Sequence, residues 1–176
     1  PFTYGVSADA QLWINDGKGN FTEQSATLAP ELKAIGMVTD AKVLDYDGDG
    51  LQDVVFVGEW MAPTFFKNVG KKLEKMTLPG MENLKGWYRT LEVGDFNGDG
   101  KPDLALGNQG FNTRMKGSTT RPIRMYLNDF DQNGTVEQIY TQVLDGVTIP
   151  YTLKHELERQ VPSIKKKYIR YADYVN

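Results

Sequence analysis

Cysteine is absent from all 176 residues, which excludes disulfide staples, thiolate zinc sites and cysteine nucleophiles. Histidine occurs once, as His155 between Lys154 and Glu156; with no nucleophile or orienting acid evident beside it, an imidazole acid–base centre is not expected. Long apolar runs are missing as well. None approaches the roughly 18 residues of a membrane span, and no basic stretch followed by an apolar one opens the chain, so no membrane insertion is expected. The chain begins at Pro1 without a methionine, and a processed or excised segment is the expectation, so its location must be read from other features. Nor is there an excess of basic charge: the formal net charge is −3. Lys165, Lys166 and Lys167 therefore read as a solvated helix face, and no nucleic-acid partner is expected.

What is present is a moderate apolar fraction (40%), 11% aromatics, 18 glycines and 9 tyrosines among short apolar runs. That texture fits many brief strands joined by tight turns, and the length suffices to bury a real core. An all-β body is expected. The charge is unevenly spread: ten of the 23 acidic residues fall in three short loops, leaving 13 against 20 lysines and arginines elsewhere. Such a concentration of carboxylate calls for a local counter-charge.

The first loop reads Asp45-Tyr46-Asp47-Gly48-Asp49-Gly50-Leu51-Gln52-Asp53 and the second Asp95-Phe96-Asn97-Gly98-Asp99-Gly100-Lys101-Pro102-Asp103. Oxygen-bearing side chains occupy positions 1, 3, 5 and 9 of both. Position 6 is glycine, for a sharp turn, and the residues at position 7, Leu51 and Lys101, can add a backbone carbonyl. A hard divalent cation with flexible oxygen coordination, Ca2+, suits this spacing better than Mg2+, which demands a tighter octahedron. The third stretch, Asp129-Phe130-Asp131-Gln132-Asn133-Gly134-Thr135-Val136-Glu137, is a looser copy, with Asn133 at position 5, Thr135 at position 7 and Glu137 at position 9. Ca2+ is expected at the first two loops, with the third a further candidate. The bland alternative, plain Asx turns without an ion, leaves the crowded carboxylates without a counter-ion. An EF-hand needs a bidentate Glu at position 12 and flanking helices; here position 12 is Phe56, Leu106 and Tyr140, and β-rich runs follow the first two loops. These are loop-to-strand sites.

A second pattern repeats beneath the loops. Leu12-Trp13-Ile14-Asn15-Asp16-Gly17 and Phe65-Phe66-Lys67-Asn68-Val69-Gly70 each read as strand, Asn-x-Gly turn, strand. Met125-Tyr126-Leu127-Asn128 aligns with them, so the third acidic loop should replace a hairpin turn, with an insertion between Asn108 and Arg121. The combination of these acidic loops with the Trp13-Ile14-Asn15-Asp16-Gly17 hairpin resembles the FG-GAP/VCBS repeats of integrin-α-like β-propellers, over about residues 8–165. Val57-Gly58-Glu59-Trp60-Met61, the run from Leu106 to Asn112 and the run from Leu157 to Ser163 are similar to a large secreted bacterial-type subgroup.

The resemblance implies calcium on Asp45, Asp47, Asp49, Asp53, Asp95, Asn97, Asp99 and Asp103, an extracytoplasmic location (periplasmic, cell surface or secreted), and a binding or assembly role toward a protein or glycan. The departures are the displaced third loop, with its Asn133 and Glu137, and the small number of repeats. A closed propeller takes about four to eight blades. This chain reads as a partial one, about two to three four-stranded blades over residues 1–150, followed by a short helical segment over 151–176. Open blade edges invite pairing with a second copy, which makes a homodimer an expectation on that ground.

In the tail, Leu153, Leu157 and Val161 recur every four residues as one helix. After Pro162, Ser163 is placed to cap a second helix with Ile164, Tyr168, Tyr171, Ala172 and Val175 on one side. Trp60, Trp87, Tyr88 and Arg89 read either as core packing between blades or as a binding surface, and the insertion Gln109-Gly110-Phe111-Asn112-Thr113-Arg114 as a binding loop or a plain linker. A different function class, a polysaccharide lyase or hydrolase built on a propeller, needs two carboxylates flanking a cleft. Glu59, Glu82 and Glu92 show no pattern that selects a pair, so a non-enzymatic module is the reading favoured, with calcium in a structural role.

Overall fold

A computed structural model describes residues 3–175. The fold is mostly antiparallel β with a few short helices, the all-β, partial-propeller type expected. Two compact units form, one from residues 7–110 and one from residues 3–6 with 111–175.

The first unit opens with a hairpin, β1 (Trp13–Asn15) and β2 (Phe21–Glu23), closed where Asn15 pairs with Phe21. A short helix, α1 (Ser25–Leu28), and a 3-10 turn (Pro30–Leu32) follow. Then comes an antiparallel meander of four strands: β3 (Met37–Leu44), β4 (Asp53–Met61), β5 (Thr64–Asn68) and β6 (Leu73–Met76). The first acidic loop joins β3 to β4. β7 (Gly86–Gly94) and β8 (Asp103–Asn108) pair around the second acidic loop, and β7 touches β4 at Glu59 and Met61.

Alternation along the strands explains why this meander is buried on both faces. Val55 and Val57 face a cluster with Leu44, Phe65, Tyr88 and Leu91, while Val54 and Phe56, one residue out of phase, pack with Phe66, Ala29 and Leu32. Period-two patterning with apolar residues in both phases is what a sheet covered on two sides requires. Phe66 is fully buried and meets Phe56 edge to face at 5.5 Å. The outer edge of β6 is blunted where the Lys75 N–H donates to Glu31 Oε2 at 3.1 Å, one way a protein avoids unwanted strand addition.

A register irregularity in β3 between Val38 and Asp40 turns two side chains toward the neighbouring β7. Thr39 Oγ1 donates to the Tyr88 carbonyl at 3.0 Å, and Asp40 Oδ2 accepts from the Leu91 N–H at 2.9 Å and Thr90 Oγ1 at 3.0 Å. The Leu91 N–H is the main reason the Asp40 carboxyl is held below its ordinary value. A group with a lowered folded value stabilises above its unfolded value of about 3.9 and loses that contribution as pH falls through the folded one. Asp40→Ala is therefore expected to lose about 1–2 kcal/mol at pH 7, in urea unfolding, and to show less acid sensitivity below pH ~4 than the wild type.

The second unit contains a three-stranded antiparallel sheet in the order β11 (Val147–Pro150), β10 (Glu137–Leu144), β9 (Arg124–Asn128). The third acidic loop is the turn between β9 and β10, and Asn128 pairs with Glu137. Asn15, Asn68 and Asn128 thus hold the same place, the last strand residue paired with the first of the returning strand. The residues from 109 to 123, where the insertion is expected, form no regular element between β8 and β9.

The last strand ends at Pro150 and the first tail helix, α2 (Lys154–Gln160), follows. Leu157 and Val161 are buried, but Leu153 is half exposed, because it precedes the helix in an extended conformation. The second expected helix is split into α3 (Ile164–Lys167) and α4 (Tyr171–Val175). Ser163 does not cap α3: its own backbone is already helical and its side chain makes no cap bond. Tyr168 leaves helical geometry, and Asp173 restarts the chain by accepting from the Arg170 N–H at 2.9 Å. The side chains of Tyr171 and Val175 lie outside the described residues. Among the described residues no helix is long and apolar enough to cross a membrane.

Candidate metal centres

The three acidic loops share one backbone scaffold, built by the carboxylates at positions 1 and 9. Asp45 accepts from the N–H groups of Gly48, Asp49 and Gly50 at 2.8, 3.1 and 2.9 Å. Asp95 accepts from Gly98, Asp99 and Gly100 at 2.7, 3.1 and 2.8 Å, and Asp129 from Asn133 and Gly134, both at 2.9 Å. At the far end, Asp53, Asp103 and Glu137 each accept the N–H of the loop's second residue, Tyr46, Phe96 and Phe130, at 3.2, 2.9 and 2.8 Å. Position 5 completes the pattern, with Asp49, Asp99 and Asn133 accepting the N–H of Leu51, Lys101 and Thr135 at 2.9, 2.9 and 2.8 Å. Local side-chain to backbone bonding of this kind is why Asp, Asn and Gly dominate such turns.

The position-6 glycines, Gly50, Gly100 and Gly134, all have φ between 82° and 86°, a region closed to most side chains. The third loop departs from the others at position 4, where Gln132 adopts φ 60° in place of Gly48 and Gly98. That conformation costs a residue with a Cβ about 1–2 kcal/mol.

Side-chain convergence then separates the loops. One carboxylate oxygen from each of Asp45, Asp47 and Asp49 lies within 4.8 Å of the others, and the same holds for Asp129, Asp131 and Glu137. Among the described residues no third group of acids converges so. In the second loop position 3 is the amide of Asn97, whose oxygen takes the Asp99 N–H at 2.8 Å and whose Nδ2 lies 3.3 Å from Asp99 Oδ2. The loop read as the looser copy thus gathers three carboxylates as the first loop does and the second does not, because Asp131 stands where the second loop has Asn97 and Glu137 reaches across with its longer arm. The carbonyl roles expected of Leu51, Lys101 and Thr135 remain expectations.

Counter-charge differs as well. Lys67 on β5 ion-pairs with Asp47 and, at 3.1 Å, with Asp49 Oδ2, and it lies 5.9 Å from the centre of the Tyr46 ring. The Leu51 N–H first, and then Lys67, hold Asp49 below the usual carboxylate range; in the second loop the Gly100 N–H does most to lower Asp95. In the third loop no ion pair involves Asp129, Asp131 or Glu137 among the described residues. Glu137 is buried, and Asp131 Oδ1 is shielded from solvent with no hydrogen-bond partner. A buried, unpartnered carboxylate oxygen facing two other acids costs free energy unless a cation satisfies it, so the residues of the third loop fit a metal ion.

The aromatic group singled out by sequence divides. Tyr88 is core, its hydroxyl donating to the Leu84 carbonyl at 2.7 Å. Trp60 and Trp87 meet edge to face at 5.0 Å, both half-buried. Trp60 has φ 61° at the break in the β4–β7 register between Glu59 and Met61; a bulky residue there is a local strain. Arg89 is exposed and ion-pairs with buried Glu59, and its Nη2 donates to Gln109 Oε1 at 3.3 Å. His155 is exposed. Lys67 was missed as a site residue. The Val54–Phe66 pairing puts it one step further along, across from Asp53 at the loop mouth, and a lysine opposite the last acid of the loop was the signal that could have found it.

Residues 45–106 match the family model of the FG-GAP-like repeat. The match spans the first acidic loop, the strands β4 to β7 and the second acidic loop into β8. No curated protein and no solved structure matches the chain.

Proposed function

With an FG-GAP-like repeat at residues 45–106, we propose that this chain is an extracytoplasmic β-propeller module whose acidic loops bind calcium as a structural ion and whose rigid sheets present a surface to a protein or glycan ligand. The observation that carries the calcium reading is the meeting of Asp129, Asp131 and Glu137 within 4.8 Å, with a buried oxygen of Asp131 left without a partner. Three carboxylates and flexible loop oxygens are the donor set a hard, large divalent cation selects. Asp45, Asp47 and Asp49 form a second candidate centre; the ion's contribution at either is to neutralise crowded charge at the entry to a strand.

The half-buried Trp60 and Trp87, beside the exposed Arg89, support the ligand surface, since aromatics and Arg make interface anchors. The edges of the β-sheets support self-association of the module as a further proposal. Calorimetric titration of the full chain with CaCl2 tests the central reading. Uptake with a dissociation constant in the micromolar to millimolar range, as in extracellular modules, is expected, and Asp131→Asn should remove one equivalent. Absence of uptake at about 10 mM, ten times the weak end of that range, would refute it.

A further inference from the structure

We infer that Lys67 is a built-in counter-ion of the first acidic loop, which competes with a divalent cation there, so that the third loop fills first although it carries fewer carboxylates. The inference rests on the cation-binding reading above and adds to it an order of occupancy and a residue that sets it.

In the first loop nearly every acidic oxygen already has a partner. Both oxygens of Asp45 take backbone N–H groups, and both of Asp53 do so too, from Tyr46 at 3.2 Å and Asn68 at 2.7 Å. Asp49 Oδ1 takes the Leu51 N–H. The oxygens most open to an incoming cation are Oδ2 of Asp47 and Oδ2 of Asp49, and Lys67 Nζ bonds the first and lies 3.1 Å from the second. The ammonium sits where positions 3 and 5 of the loop converge. A divalent ion that takes those oxygens must break two charge-assisted contacts and release the lysine into water.

Among the described residues the third loop has no such group. The residue that aligns with Lys67 in the strand ahead of its Asn is Ile14 in the first hairpin and Leu127 before the third loop, neither of which carries charge. There Asp131 Oδ1 remains without a hydrogen-bond partner. Counting acids alone, four in the first loop against three in the third, predicts the reverse order of filling. Because the Lys67 pairs are partly exposed, with side-chain exposures of 31%, 25% and 33% for Lys67, Asp47 and Asp49, their combined effect on cation affinity is about tenfold, not many thousandfold. Linkage makes the effect reciprocal: a bound cation frees Lys67 by the same factor by which Lys67 weakens the cation.

The test is a CaCl2 titration of the full chain followed by the amide resonances of Gly50 and Gly134, the position-6 N–H groups that bond Asp45 and Asp129. In the wild type Gly134 should reach its midpoint at a lower calcium concentration than Gly50. Lys67→Met, which keeps the aliphatic stem, should lower the Gly50 midpoint about tenfold and leave Gly134 unmoved, whereas Lys67→Arg should leave both near wild type. Lys67→Gln serves beside Lys67→Met should the thioether alter packing, and well-dispersed spectra verify folding. An unchanged Gly50 midpoint in the two neutral variants overturns the inference while leaving calcium binding intact. A Gly134 resonance that never responds overturns the cation reading itself.

Discussion

Excess EGTA is expected to lower the melting temperature of the full chain by roughly 5–10 °C relative to the same protein in calcium at about a hundred times its dissociation constant. The magnitude follows from mass action: one site at that saturation adds about 2.7 kcal/mol to the folded state, and in a chain of this length each kcal/mol moves the midpoint by about 2–4 °C. The physical source is the third loop, where a buried glutamate and an unpartnered aspartate oxygen sit with a third carboxylate in one turn. Without an ion those charges repel at the foot of β10; with one they become ligands. Differential scanning calorimetry at fixed ionic strength is the check, because simple screening by salt would act on exposed pairs generally. Magnesium at the same concentration should give a smaller shift, since it requires a tighter octahedron and gives up water reluctantly. Equal melting in EGTA and in calcium would contradict the expectation.

The second large effect is independent of any ion. Asp53 is 1% exposed and ties three elements together. One oxygen takes the N–H of Tyr46 inside the loop, and the other takes the N–H of Asn68, where β5 enters its turn. Asp53→Ala leaves both backbone donors unpaired in a buried setting, at about 1–3 kcal/mol each, so a loss of about 3–5 kcal/mol is expected in denaturant unfolding. Asp103 is the matching residue of the second loop, but it is half-buried, and among the described residues its carboxylate accepts the Phe96 N–H within the loop with no cross-strand counterpart of the Asn68 bond. Asp103→Ala should cost clearly less, about 1–2 kcal/mol. Equal losses for the two variants would show that the cross-link from Asp53 to Asn68 contributes nothing.

These two effects mark what was legible in the residues and what was not. The turn chemistry was readable, because Asp at position 1, Gly at position 6 and an acid at position 9 are required by the local bonds that all three loops make. The hairpin alignment was readable too, since Asn15, Asn68 and Asn128 end their strands for the same reason, a side chain or backbone suited to the turn that follows. The tail was legible only in part. Apolar spacing locates a helix but does not show that Leu153 precedes it or that Ser163 is already helical.

Long-range facts were the least accessible. Which loops gather three carboxylates depends on side-chain directions that a spacing rule does not carry, and the third loop matches the first despite its looser pattern because oxygens of Asp131 and Glu137 converge with Asp129. The Lys67 pair depends on the register between β4 and β5, which brings a residue 20 positions away from Asp47 onto its carboxylate. The strained Trp60 likewise depends on an irregularity in the pairing of β4 with β7, strands far apart in the chain.

Anomalous diffraction from crystals grown in calcium tests the central claim most directly. The account predicts a peak in the third loop with oxygens of Asp129, Asp131 and Glu137 at 2.3–2.6 Å, the range of calcium coordination. Asp131 Oδ1 turned away to solvent, with no peak in that turn, would contradict it.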